Sequence, residues 1–341
     1  MKTAVVILNW NTREFLSRFL PPLLESVRGL DASVIVADNA STDGSLDLLL
    51  TSFPEVRTIV LDKNYGFTGG YNRALAQLSG EFEYYLLLNS DIETAPGWLE
   101  PLVEWMDSHP DCGVCGPKLH SWYEKDRFEY AGAAGGWLDR YGYPFCRGRI
   151  RNETEEDHGQ YDTPRKVMWV SGACLMTRSS LWESLGGFDE RFFAHMDEID
   201  YCWRAQLAGF YVSTVPASTV WHVGGGTLPP ESPFKLQLNF RNNLLMLRKN
   251  LPRGLRYSFL LGYRYLLDCA AWLTYLILAK YTCASAVVRA HKEYRQMKGP
   301  RGDAPFVPEG MLKLSLLRLS RMKGAKKFEY LRKFESKHLG L

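Results

Sequence analysis

Asn89-Ser90-Asp91 closes the run YYLLLNSD (84–91), in which five apolar residues precede three oxygen-bearing ones. Such a cluster at the end of a strand buried on both faces suits a hard divalent cation. Mg²⁺ or Mn²⁺ takes one or two protein carboxylates and fills its shell with substrate phosphates. In that reading Asp91 carries the charge and Asn89 a weaker oxygen; a capped polar loop explains the same three residues. A second cluster lies in GGFDERFFAHMDEIDYCWRAQLAGF (186–210), where Asp197, Glu198 and Asp200 fall within four residues. Glu198 sits among aromatic and apolar neighbours, and desolvation there raises a carboxyl pKa toward that of a general base. Acids decorating a helix N-terminus are the competing account. Asp200 and Arg204 are spaced i, i+4 for an ion pair. His222, ahead of Gly224-Gly225-Gly226, offers an imidazole to a metal or a phosphate, or is structural.

Three further polar groups fall where an α/β sheet gathers its ligand edge. They are Asn9/Asn11, Asp38-Asn39 and the loop NYGFTGGYN (64–72). Asp38 ends a strand and can accept from a base imide N–H, or form a turn with Asn39. The loop glycines let backbone approach a ligand, and a helix from about Tyr71 presents its N-terminus to an anionic diphosphate. The loop is neither G-x-G-x-x-G nor a P-loop, which argues against a dinucleotide dehydrogenase or an ATPase.

The elements that must carry these residues alternate strand and helix over the first hundred positions. Thr3–Leu8, Ser33–Ala37, Thr58–Leu61 and Tyr84–Leu88 read as strands, each followed by a polar end. The pattern predicts a doubly wound, mostly parallel sheet. The first helix is expected to be capped by Asn11-Thr12 and broken at Pro21-Pro22. Residues 118–166 read as a long, partly irregular insertion. Val167–Thr177 reads as a strand, Asp197–Ala208 as a helix, and Val212–Pro216 and Thr219–His222 as two short strands. Ser232-Pro233 opens a helix through Leu251, and from Leu255 onward the pattern is helical. The expected domains are a catalytic unit over 1–250 (halves 1–117 and 167–250 around the insertion) and a basic helical extension over 251–341.

Of the chain's 341 residues 46% are hydrophobic, and the net charge of +3 is unevenly spread. Residues 291–341 carry +8 and residues 1–290 carry −5, so the tail favours an anionic surface. The segment MLKLSLLRLSRMKGAKKFEYLRKF (311–334) has leucines and basic residues at helical spacing, which suits an anionic membrane surface or packing on the catalytic unit. The apolar stretch Cys269–Ala279 is too short to span a bilayer. Seven cysteines form no even framework, and Cys112-x-x-Cys115 lacks a second pair for zinc. The N-terminus reads as a strand rather than a secretory signal. The expected location is therefore cytoplasmic, with peripheral contact at the inner face of the cell membrane.

The ordered blocks VVILNWN, VIVADNASTDGS, LDKNYGFTGGYNRAL, YYLLLNSD, WVSGACLMTRSSLWESLGGFDERFF, DEIDYCWR and HVGGGT resemble family 2 glycosyltransferases, closest to the rhamnosyltransferase-like branch. The resemblance covers about residues 3–250. It implies a GT-A fold, a nucleotide-diphosphate sugar donor, a divalent cation, a glycan or lipid-linked acceptor, and no nucleic-acid partner. It places Asp38 at the base, with Asn11 and Ser90 also on the donor. Asn64, Gly66, Gly70 and Asn72 fall along the diphosphate and ribose, and Ser171-Gly172-Ala173 along the sugar. Asn89 and Asp91, with His222, fall at the metal. The family's acidic pair becomes Asp197-Glu198, with Glu198 at the position of the base in an inverting transfer. Two other functions stay open. A sugar-1-phosphate nucleotidylyltransferase needs an N-terminal triphosphate loop that VVILNWNTRE does not offer, and a non-catalytic binding partner has no need to keep both Asp91 and Glu198.

Overall fold

The computed structural model describes residues 1–224 and 232–339; Gly225–Thr227 of the HVGGGT block lie outside the described residues. The first half runs β1 (Thr3–Asn9), α1 (Arg13–Ser26), β2 (Ala32–Asp38), α2 (Ser45–Ser52), β3 (Arg57–Val60), α3 (Gly66–Ala76), β4 (Tyr84–Asn89), β5 (Ile92–Thr94), α4 (Glu100–Ser108) and β6 (Cys112–Ser121). The insertion supplies β7 (Gly136–Leu138), β8 (Pro144–Cys146), β9 (Arg149–Ile150) and β10 (Glu153–Thr154). Then come β11 (Arg165–Val167), β12 (Cys174–Arg178), α5 (Ser179–Leu185), α6 (Asp197–Leu207) and β13 (Tyr211–His222). The chain ends in α7 (Pro233–Asn250), α8 (Leu255–Ile277), α9 (Tyr281–Met297), α10 (Leu316–Leu319) and α11 (Lys326–His338).

The main sheet has the order β11-β13-β6-β12-β4-β1-β2-β3, with β5 on β13. Pairing is parallel from β4 through β3, while β12 is antiparallel to both β4 and β6. Both faces are covered. Tyr84, Leu86 and Leu88 pack with α1 and α4 residues on one side, and Tyr85 and Leu87 pack with α3 residues on the other. That is why β4 is a continuous apolar run rather than an alternating one. The register aligns Asn9 with Asp38, and Leu8 with Asn89, so the polar residues of three strands end at one edge.

Several elements differ from their sequence patterns, each for a physical reason. Helix α1 runs through Pro21 and Pro22 unbroken, because both prolines face solvent while Leu16, Phe19, Leu20 and Leu23 hold the buried face. Thr12 is the N-cap residue but makes no capping bond; Asp43 instead accepts from the Arg13 amide at 2.9 Å. Val167–Thr177 is not one strand. The chain leaves β11 at the sheet edge and re-enters at β12 in its centre, so 168–173 cross over the carboxyl end of β4. The two short strands expected near the end are one, β13, with a register shift between Thr214 and Thr219. Strands β5 and β6 and helix α4, not evident from the sequence pattern, complete this half, and β6 runs past residue 117 to Ser121. The insertion is ordered as a small antiparallel sheet, β10-β9-β8-β7.

The C-terminal segment is helical only in part. Residues 298–315, which include Gly299, Pro300, Gly302, Pro305, Pro308 and Gly310, pass along the insertion, bridging Leu138 to Met311; Pro and Gly there remove amide donors and helical preference. The expected amphipathic tail helix is reduced to α10 and α11. Its apolar face is spent inside the protein, since Leu312, Leu314, Leu319, Phe328 and Leu331 are buried. Glu335 accepts from the Trp137 indole at 2.7 Å, and Arg332 pairs with Glu155 at 2.5 Å. The packed arrangement, not the membrane-facing one, is what the tail adopts.

Asp200 fastens α6 to α7. It is fully buried and receives the Arg204 guanidinium at 2.8 Å, the Lys249 ammonium at 3.0 Å and the Asn250 amide at 2.7 Å. The i, i+4 spacing with Arg204 therefore marks an internal anchor. Asp200→Ala strips three donors of their acceptor and is expected to cost about 3–5 kcal/mol, read as a lower urea midpoint at unchanged m-value.

Candidate active site

The strand ends carry one hydrogen-bonded network. Asn9 donates to Asp38 Oδ1 at 2.8 Å and to Ser41 Oγ at 3.0 Å, and the Ser41 amide donates to Asp38 Oδ2 at 3.0 Å. Thr12 spends its hydroxyl on Asn9 Oδ1 and on Ser90 Oγ, the latter at 2.8 Å. Asn11, at φ +55°, accepts from the Thr42 amide at 2.7 Å. Asp38, Asn11 and Ser90 thus belong to one rigid edge, with both Asp38 oxygens already engaged.

Buried Asn39 builds the neighbouring loop. It donates to Asn64 Oδ1 and to the Gly66 carbonyl, each at 3.1 Å, and accepts from the Tyr65 amide at 3.0 Å. Helix α3 starts at Gly66, earlier than Tyr71. Its N-terminal amides are spent inside the protein, Gly66 on Asn64 Oδ1 at 2.8 Å and Phe67 and Thr68 on the Phe193 carbonyl at 2.8 and 3.2 Å, so they are not presented to a diphosphate as the sequence pattern suggests. Gly70 is glycine because a Cβ would lie 2.7 Å from the Leu8 side chain. Asn72 turns away from the edge: its amide donates to the Phe188 carbonyl and its oxygen accepts from the Phe188 amide, both at 2.9 Å. That two-way clamp holds the segment before α6 against α3.

Asn89-Ser90-Asp91 and the acidic pair meet through the crossing segment 168–173. The Asn89 amide donates to the Ala173 carbonyl at 2.9 Å, and Ser171 Oγ accepts from the Ala173 amide at 3.2 Å. At Gly172 an added Cβ would lie 3.4 Å from Glu198 Cβ and 3.5 Å from the Phe67 ring. Gly172 and Ala173 therefore link Glu198 to the motif that ends β4. Asp197 is buried with one oxygen, Oδ2, lacking a hydrogen-bond partner. Glu198 is only half-buried, and desolvation pushes its carboxyl up to about 7. Desolvation, then the charge of Glu198, holds Asp197 well above the usual carboxylate range.

The loop that leads into this pair is strained, with φ of +64° at Phe193, +70° at His195 and +66° at Met196. Asn242 of α7 holds it, donating to the carbonyls of Phe192, Ala194 and His195 at 2.8–2.9 Å. Arg241 adds a bond to the Phe192 carbonyl at 2.9 Å. Neither residue stands out in the sequence, because only the fold brings α7 to this loop.

Asp91 and His222 meet across the β5–β13 pair. His222 Nε2 lies 3.2 Å from Asp91 Oδ1, and Nδ1 lies 3.4 Å from Glu129 Oε1. Burial would lower the imidazole, but the two carboxylates outweigh it and push His222 up to about 10. Burial raises Asp91, and the cationic His222 outweighs that, so its carboxyl lies below its ordinary value. Glu129 was missed in the sequence because it lies in the insertion with no motif around it. Among the described residues no three His, Cys, Asp or Glu side chains form a ready metal cage. Asp91 and His222 fit a divalent ion that completes its shell with phosphate oxygens once the ion displaces the Nε2 proton of the cationic imidazole. The buried Nδ1, without a hydrogen-bond partner and facing Glu129, gives the second-shell carboxylate common behind metal-bound histidines.

A mixed α/β sheet with its polar strand ends, an acidic helix start and an Asp–His pair at one edge agrees with the GT-A glycosyltransferase that the sequence resemblance implies. The model for "Glycosyl transferase family 2" matches residues 4–185, and the chain belongs to that family. It is 31% identical over 233 residues to an N-acetylglucosaminyl-diphospho-decaprenol L-rhamnosyltransferase of Mycobacterium tuberculosis, covering 64% of this chain and 75% of that one. It is 24% identical over 243 residues to the dTDP-rhamnosyl transferase RfbF of Shigella flexneri, covering 68% and 76%. A mannosyltransferase from Pyrobaculum calidifontis, solved with GDP-Man and Mn²⁺, shares the fold with a TM-score of 0.53 at 16% identity, covering 86% of this chain and 87% of that one.

Proposed function

We propose that the protein transfers a rhamnose-type sugar, with inversion, from a nucleotide diphosphate to a hydroxyl of a lipid-linked acceptor in bacterial cell-surface polysaccharide synthesis. The observation that carries the proposal is the placement of half-buried Glu198 beside Gly172, in the segment whose Ala173 carbonyl holds the Asn89 amide. A base with a carboxyl raised to about 7 then faces the donor across one short stretch of backbone.

Glu198 takes the proton of the acceptor hydroxyl as that oxygen attacks the anomeric carbon. A single base with direct displacement inverts the centre, by the logic that separates inverting from retaining glycosidases. Asp91 and His222, the latter after loss of its Nε2 proton, would hold a divalent ion, Mg²⁺ or Mn²⁺, with Glu129 orienting the imidazole; when bound, the ion would neutralise the charge of the departing diphosphate. Asp38, Asn11 and Ser90 form the nucleoside end of the donor site, and Asn64 and Gly66 border the diphosphate. Ser171-Gly172-Ala173 line the sugar. Buried Asp197 keeps α6 and Glu198 in place. The activities of the two rhamnosyl relatives, as their names give them, support the donor and acceptor classes, and the Mn²⁺ complex of the mannosyltransferase supports the ion. The place of action is the cytoplasmic face of the membrane. No helix among the described residues is long and apolar enough to cross a membrane.

The test is a transfer assay with Mn²⁺, dTDP-rhamnose, UDP- and GDP-sugars as separate donors, and a polyprenyl-diphospho-N-acetylglucosamine acceptor. Sugar on the lipid from dTDP-rhamnose alone supports the reading. Donor hydrolysis without transfer moves the acceptor class, and no turnover of any donor overturns it.

A further inference from the structure

Helix α8 is the least enclosed apolar element among the described residues. Leu255, Phe259, Leu266, Leu273 and Ile277 are 79, 75, 66, 52 and 75% exposed. At about 100° per residue they fall within about 40° of one another around the helix. The buried residues Leu261, Arg264 and Asp268 lie on the opposite side. The stripe extends past the helix end to Leu278 and Tyr281, 59 and 67% exposed. A scattered exposed leucine needs no explanation, whereas a stripe running the length of a 23-residue helix does.

The exposed charges of the α8–α9 hairpin are of one sign, and the exposed acid at its entrance, Asp303, is paired with Arg253 at 3.7 Å. Residues 251–300 hold eight Lys/Arg and two Asp/Glu. Both acids are spent internally: Asp268 is buried against His291 at 3.0 Å, and Glu293 receives Arg241 at 2.8 Å. Arg256, Lys280, Arg289, Lys292, Arg295 and Lys298 are exposed, and among the described residues the α8–α9 hairpin exposes no acid. An apolar stripe on a hairpin whose own exposed charges are all cationic complements an anionic lipid surface, with side chains in the acyl boundary and ammonium or guanidinium groups at head-group phosphates. A second copy of the chain would bring the same cations against one another.

We propose that α8 docks the enzyme in the plane of an anionic bilayer through its Leu255–Ile277 stripe, so that the membrane contact is α8 and not the basic C-terminal tail. The inference deepens the reading of a lipid-linked acceptor and rests on it. The inner side of α8 sits on the insertion: Arg264 stacks on Tyr143 at 3.5 Å and donates to the Tyr141 carbonyl at 3.2 Å. The same insertion carries Glu129 behind His222, and α7, which precedes α8, begins just beyond that histidine. The docked face therefore belongs to the body that walls the site.

The full chain is tested by flotation with phosphatidylglycerol/cardiolipin vesicles and with pure phosphatidylcholine vesicles. It is expected to float with the first and not the second, and less in 0.5 M salt, since the rim is screened there. Leu266→Glu with Leu273→Glu is expected to lower the bound fraction at least about tenfold. Both residues are solvent-facing, so circular dichroism and donor hydrolysis stay at wild-type level, and a failure of docking is separable from a failure of the catalytic reading. Arg321→Glu with Lys323→Glu, on the exposed side of the tail, is expected to bind vesicles as wild type does. The proposal is overturned if the tail variant loses binding while the α8 variant keeps it. It is also overturned if the chain ignores anionic vesicles and forms a concentration-dependent dimer that Leu266→Glu disrupts.

Discussion

Glu198→Gln is expected to bind the nucleotide-sugar as wild type does and to lose about 10²–10⁴-fold in transfer rate, the usual contribution of a positioned general base. The substitution keeps the shape of the side chain beside Gly172 and the Phe67 ring, so donor affinity has no reason to change. What disappears is the oxygen that takes the acceptor proton. The same group sets the pH dependence. Desolvation pushes the Glu198 carboxyl up to about 7, and a base works only when deprotonated. Wild-type kcat/KM is therefore expected to fall about tenfold per pH unit below about 7 and to level off above it. The residual rate of the Gln variant is expected to lack that inflection. Initial rates from pH 5 to 9, with donor affinity by calorimetry, check both parts. A Gln variant at near-normal turnover removes Glu198 from the role.

Asp91→Asn is the second large effect. Asp91 is the carboxylate placed against His222 at 3.2 Å, and the substitution removes the charge that holds a divalent ion while leaving size and backbone alone. Transfer is expected to drop by about 10³-fold, because a metal's Lewis-acid contribution at a leaving diphosphate amounts to several kcal/mol. A binding readout separates this from simple misfolding. Wild type is expected to gain thermal stability from Mn²⁺ plus a nucleoside diphosphate beyond what either supplies alone, and Asp91→Asn is expected to lose that synergy. Asn89→Ala should keep most of it, since Asn89 is a neutral donor. Equal synergy in wild type and Asp91→Asn would place the ion elsewhere.

Much of the nucleotide-binding half is legible in the sequence, for a local reason. Strands buried on both faces must be continuous apolar runs, and the polar residues that end them are the next ones in the chain. Asp38, Asn89 and Asp91 could therefore be picked from pattern alone. The base is legible only in part. Asp197 and Glu198 are adjacent, and which one opens to the cleft depends on the strained turn at Phe193–Met196 that Asn242 holds from α7. Glu129 was not legible, because its importance comes from lying 3.4 Å from a histidine 93 positions later in the chain. The tail's partner was not legible for a related reason: a basic amphipathic pattern is the same whether its apolar face meets lipid or protein.

By itself the sequence determined the class of fold, the family and the edge at which the polar strand ends gather, and it singled out the acids proposed for the site, since these follow from short-range periodicity and from residues adjacent in the chain. Only the tertiary structure decided which apolar helix faces outward, which acid of the pair stays partly exposed, and that His222 stands between Asp91 and Glu129. Those are contacts between segments far apart in sequence, set by packing, and no local pattern encodes them. Asn89-Ser90-Asp91 shows the division: its composition names the chemistry, while the crossing segment above and the histidine beside it supply the site.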